Sequence, residues 1–105
     1  MPTVAHLNDA MRTTFSGGKV VMTAAVAALP EAKLAQVLHR TRTFDAFTPD
    51  NDPYGEHDFG SFELEGEKFF FKHDYYNADM SGGSEDPSDP TKTTRVLTIG
   101  FMSDY

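Results

Sequence analysis

The chain has 105 residues, enough for one domain spanning residues 1–105 with a core of its own. It sets nine Lys and Arg against sixteen Asp and Glu, a net charge of -7, and has nine Phe and no Cys. These figures exclude disulfides and thiolate chemistry, argue against direct contact with nucleic acid, and point to a folded protein of the reducing cytoplasm. The first fifteen residues lack the apolar run of a signal peptide, and the stretch from Val20 to Leu29 is too short to span a bilayer.

Val4, Leu7, Met11 and Phe15 recur at three- and four-residue steps and predict a helix with one apolar stripe. Thr3 can cap its start, and Gly17 or Gly18 can end it. Lys19 to Thr23 is short, β-branched and bounded by glycines, which predicts a strand. Ala24 to Leu29 fits either a loop or a helical turn. Leu34, Val37 and Leu38 mark a second helix over Pro30–Thr41, with Lys33, Arg40 and Arg42 on or near its outer side.

Asp50 to Gly60 is too rich in turn residues for regular structure, yet it holds four carboxylates and a histidine. Phe59 to Tyr76 then predicts a β-hairpin turning at Glu65-Gly66. A two-residue turn sets Leu64 opposite Glu67, Phe62 opposite Phe69, Gly60 opposite Phe71 and Glu63 opposite Lys68. The same register sets His57 opposite Asp74 and Asp58 opposite His73. Phe62, Leu64, Phe69 and Phe71 fall on one face, Phe59 and Phe70 on the other. The segment 77–94 reads as a long loop, more mobile than the acidic one, and Arg95 to Met102 as a strand with Leu97, Ile99 and Phe101 inward. The expected fold is α+β, with two N-terminal helices packed on a small antiparallel sheet of three to four strands. The expected core includes the helical stripes, Val21 and these inward residues. Phe44, Phe47 and Tyr54 are expected to pin the acidic loop to it.

The segments Phe44 to Gly60, Phe71-Lys72-His73-Asp74-Tyr75-Tyr76 and Asp89 to Ile99 resemble the signature of a bacterial domain-of-unknown-function family, numbered 3768. Leu7-Asn8-Asp9-Ala10 and Ala28-Leu29-Pro30 are similar to it as well. The resemblance implies a small cytoplasmic accessory protein of plasmids, integrative elements or phages, including proteins that interfere with host defence. It supplies no catalytic residue and no cofactor.

Two readings of the acidic segment follow. Residues 1–43 hold five Lys and Arg against two acids, whereas residues 44–105 hold four against fourteen. That asymmetry suits a basic protein surface as partner. Asp50, Asp52, Glu56, Asp58, Glu63 and Glu65 are the candidate contacts, with Phe59 and Phe70 as apolar anchors. Strand carboxylates two residues apart are spaced ~6.6 Å, near the phosphate spacing of one DNA strand, so charge mimicry of nucleic acid is one way to inhibit a nucleic-acid-processing or host-defence complex. The alternative is a metal-dependent enzyme built on residues 50–58, with His57, Asp58, His73 and Asp74 as ligands. A calcium loop is disfavoured, because Ser61 stands where a bidentate glutamate is required. The pairing of the two histidines on opposite faces of the hairpin also disfavours a joint metal site, so the expectation is a protein without metal or other cofactor.

Overall fold

The computed structural model describes residues 2–105. Helix α1 (Val4–Thr14) leads to strand β1 (Lys19–Met22), a single turn α2 (Ala24–Ala27) and helix α3 (Glu31–Thr43). The acidic loop then enters β2 (Phe59–Leu64), β3 (Glu67–Asn77) and, after a long connection, β4 (Thr93–Phe101), which ends in a 3-10 turn (Met102–Asp104). The strands form one sheet in the order β1-β4-β3-β2.

Thr3 caps α1 as its sequence position suggests, its hydroxyl accepting from the His6 N–H at 3.0 Å. The helix stops earlier than either glycine. Phe15 takes the left-handed conformation, φ 56°, and donates its N–H to the Met11 carbonyl. Gly18 has a different role: a Cβ there would lie 2.2 Å from the Arg95 carbonyl, so only glycine lets the chain pass so close to β4.

The hairpin forms in the expected register, from Phe59 opposite Lys72 to Leu64 opposite Glu67. Its turn residues Glu65 and Gly66 both have positive φ, 54° and 81°, as a type I′ turn demands. Phe62, Phe69, Phe71, Leu97 and Ile99 share a buried cluster with Met11 of α1, Val26 of α2 and Val37 of α3. All three helices therefore cover one face of the sheet.

Three expectations need correction. The sheet is mixed, because β1 lies at its edge parallel to β4, not antiparallel. Sequence pattern finds a strand but not the direction of a pairing across some seventy residues. Val21 is 46% exposed, since strand alternation turns its neighbour Val20 toward the core instead. Tyr54 is 88% exposed and pins nothing, whereas Phe44 and Phe47 do pack on the core. The far face is partly closed: Tyr105 folds edge-on against Phe59 and Phe70, and Phe70 is 2% exposed.

Truncating Phe71 tests this arrangement, because its ring meets Phe44 and Phe47 edge-on under α1. Phe71→Ala should lower unfolding free energy in urea titration by about 3–5 kcal/mol. An unchanged midpoint would refute the register.

Candidate functional site

The loop of residues 44–58 is held by its own side chains. Asn51 accepts from the Thr48 N–H at 2.8 Å and donates to the Ala46 carbonyl at 2.9 Å. Asp52 turns inward and accepts from the N–H groups of Glu56 and His57 at 3.1 and 3.2 Å. His57 adopts φ 55°, which swings it out of the hairpin ladder. Its ring stacks on Phe47 at 4.0 Å, its Nδ1 lies 3.0 Å from Asp9, and its Nε2 lies 3.7 Å from Asp52. A groove of about 470 Å³ opens beside these groups, lined by Phe47, Asp52, Tyr54 and His57 among others.

Beneath the loop lies a layer of buried polar groups. Arg12 of α1 donates to the carbonyls of Thr41, Arg42 and Phe44 at 3.1, 3.3 and 2.8 Å and to Asp9 at 2.9 Å. Its guanidinium sits over the Phe47 and Phe71 rings. Helix α3 has no glycine stop, so this guanidinium takes over the carbonyls that a C-cap would satisfy. Asn8 bonds the Glu56 carbonyl at 3.0 Å and the Tyr75 hydroxyl at 2.8 Å, and accepts from Arg95 Nε at 2.7 Å. Arg95 also donates to the Pro87 carbonyl and covers the Tyr75 ring. Burial lowers the Arg95 pKa, yet a guanidinium starts so high that it stays a cation. Burial also pushes the Tyr75 phenol up, so it remains a neutral donor to Glu56.

His73 is 4% exposed, and neither ring nitrogen has a partner among the described residues. Burial first, then the Arg12 and Arg95 cations, pull its pKa down to about 3, so the ring is neutral at physiological pH.

The expected site residues scatter. Asp50 is exposed, Glu56 and Asp58 are half-buried, and Asp52 is consumed by the loop's own N–H groups. Glu63 and Glu65 stand toward the other end of β2, which six residues place roughly 20 Å from Asp58. There Lys68 faces Glu63 across the ladder, and Lys33 pairs with Glu65 and Glu67. The six acids therefore do not make one array. Phe70 is closed off beneath Tyr105, and Phe59 is half-buried beside it.

The expected cross-strand pairs of His57 with Asp74 and Asp58 with His73 do not form as side-chain pairs. His57 goes to Asp9, Asp74 pairs with Lys72 at 3.2 Å, and only the Asp58 carbonyl meets the His73 N–H. Among the described residues, no group of three or more His, Cys, Asp or Glu is placed to hold a metal ion.

Sequence reasoning missed Asn8, Asp9, Arg12, Tyr75 and Arg95. A signal existed in the strands: Arg95 shares parity with Leu97 and Ile99, and Tyr75 with Phe69 and Phe71, so both had to point inward.

The model of the family described as "Protein of unknown function (DUF3768)" matches residues 22–104, and the chain belongs to that family. No curated protein and no solved structure matches it. Among the described residues, no helix is long and apolar enough to cross a membrane.

His73 makes a pH prediction. Its folded pKa is below the unfolded value near 6.5, so the unfolded chain binds the extra proton and stability falls as pH falls from about 6.5 toward 3. Between pH 7 and 5 the loss assigned to this one group is about 2 kcal/mol. In urea titrations, His73→Gln should show a correspondingly shallower loss over that interval; parallel profiles would mean that His73 protonates in place.

Proposed function

We propose that this chain is a binding protein that presents an acidic pole to a basic protein surface in the cytoplasm. One observation carries the reading: the Asn8–Arg95 pair ties two acid-rich loops to the same end of the sheet, through the Glu56 carbonyl on one side and the Pro87 carbonyl on the other. Residues 44–58 hold five acids and no Lys or Arg, and residues 78–92 hold four acids against Lys92 alone. Together they carry -8, so the rest of the chain is close to neutral. Asp45, Asp50, Asp79 and Glu85 are exposed and have no ion-pair partner among the described residues.

Such a pole attracts a basic surface over a Debye length and orients it before contact. Charge mimicry of nucleic acid remains the proposed means of inhibition, proposed now for the loop pole instead of the hairpin because Lys33 pairs with Glu65 and Glu67 at the hairpin tip. The family resemblance supports an accessory role in mobile elements, and the absence of Cys is compatible with a reducing compartment.

The test compares two triple neutralisations of equal charge. Asp45→Asn, Asp50→Asn and Glu85→Gln together should abolish capture of a basic partner by the tagged protein at low ionic strength. Glu63→Gln, Glu65→Gln and Glu67→Gln together should leave capture intact. Capture by the unaltered protein should weaken as salt is added. Loss only in the hairpin variant, or no loss and no salt dependence, would overturn the pole as the binding surface.

A further inference from the structure

The two edges of the sheet are built differently. The β2 edge is flanked by charge, with Asp58 before it, Glu63 within it and Glu65 after it. The β1 edge carries a single charge, Lys19 at its first residue. From Ser16 to Leu29 the only charged residue is Lys19, in a chain with twenty-five Asp, Glu, Lys and Arg. Val21 and Met22 of β1 are 46% and 38% exposed, and the adjoining α2 turn exposes Ala24, Ala25 and Ala27. An edge whose one charge, Lys19, stands at its first residue, with exposed Val21 and Met22 beyond it, is a surface that soluble proteins usually guard more heavily against pairing.

The backbone fixes which groups are free. Thr23 donates its N–H to the Ile99 carbonyl at 3.0 Å, so the odd-numbered residues of this segment direct their amides toward β4. The N–H and C=O groups of Val20 and Met22 consequently face outward. An antiparallel copy of β1 uses all of them in one register: Val20 opposite Met22 of the second copy, Met22 opposite Val20, and Val21 opposite Val21 on a two-fold axis.

That register also matches charge. Lys19 comes opposite Thr23 of the second copy, and Thr23 donates its hydroxyl to Asp104 at 3.1 Å. Neither Lys19 nor Asp104 has an ion-pair partner among the described residues of its own chain. Each two-fold-related Lys19 would therefore sit beside an Asp104, twice per pair. The antiparallel arrangement also places the two acidic poles at opposite ends, away from each other.

We infer that β1 pairs antiparallel with β1 of a second copy, joining two four-stranded sheets into one of eight through Val20–Met22 ladders and reciprocal Lys19–Asp104 ion pairs. The dimer is independent of the acidic-pole reading, since it uses neither acidic loop. A ladder this short lies at the small end of specific interfaces, so association is concentration-dependent.

Sedimentation velocity across a micromolar concentration series tests it. The unaltered chain should shift from monomer to dimer. Val21→Lys, which sets two like charges on the axis, should hold the protein monomeric, with its far-ultraviolet circular dichroism unchanged because Val21 is half-exposed. Lys19→Glu and Asp104→Lys should each weaken the dimer by about three- to tenfold, and the double reversal should restore it. These two surface variants decide the matter should Val21→Lys misfold. A chain that stays monomeric throughout that series overturns the inference. So does a dimer indifferent to Val21→Lys, or a double reversal that remains as weak as the single changes.

Discussion

The Arg12 guanidinium is the interaction on which the rest of the molecule depends. A cation buried under two phenylalanine rings is costly unless its protons are bonded and its charge is met. Here three carbonyls at the end of α3 and the Asp9 carboxylate engage both terminal nitrogens and meet the charge, while Nε has no partner among the described residues. The negative end of the α3 dipole adds to the match. Because those carbonyls belong to Thr41, Arg42 and Phe44, the same contact fixes where α3 ends and where the acidic loop begins. Phe47 then meets both that guanidinium and the His57 ring, so the loop is registered to α1 through one aromatic side chain.

From this centre the polar layer runs across the sheet without a break in logic. Asp9 serves both Arg12 and His57. Asn8, one residue away, serves Glu56, Tyr75 and Arg95. Helix α1 thus presents an apolar stripe and, beside it, a short polar edge that bonds two loops. Among the described residues, His73 has no partner for either ring nitrogen and Arg12 has none for its Nε, and His73 lies in the field of both cations. Its neutrality follows from that field and from burial, and a proton there would add a third positive charge to a layer whose nearby carboxylates are already engaged.

What the sequence made legible divides by range. Local chemistry was readable. The Glu65-Gly66 turn fixes the hairpin register residue by residue, and Thr3 marks the start of α1. The inward parity of Leu97, Ile99 and Phe101 was equally readable. Non-local geometry was not. The direction of β1 against β4 depends on how the chain crosses the sheet, which no local pattern records. The fate of His57 shows the same limit: ladder arithmetic sends it to Asp74, but a positive φ at that one residue breaks the alternation and hands it to Asp9 on a helix forty-eight residues away. The candidate surface was half legible. The acids of the loop were found, but burial takes Asp52 out of it, and at the other pole Lys33 pairs with Glu65 while Lys68 faces Glu63 across the ladder.

The distribution of charge follows from the same constraint. Nine carboxylates crowded onto two loops repel one another, and loops of this kind would splay if left to themselves. The structure opposes that with two buried guanidiniums directly beneath, each reaching a loop backbone by hydrogen bonds: Arg12 through the Phe44 carbonyl and Arg95 through the Pro87 carbonyl. Neither cation neutralises the exposed carboxylates by direct pairing, so the outward field stays negative while the backbone underneath is held. Holding the loops from below in this way leaves their outer carboxylates unpaired and oriented. A surface that paired its acids with its own lysines, as the hairpin tip does with Lys33, has little field left to offer a partner. The two ends of one sheet thus carry the same residue type in opposite roles, and what separates them is whether the countercharge lies beside the carboxylates or beneath the chain that bears them.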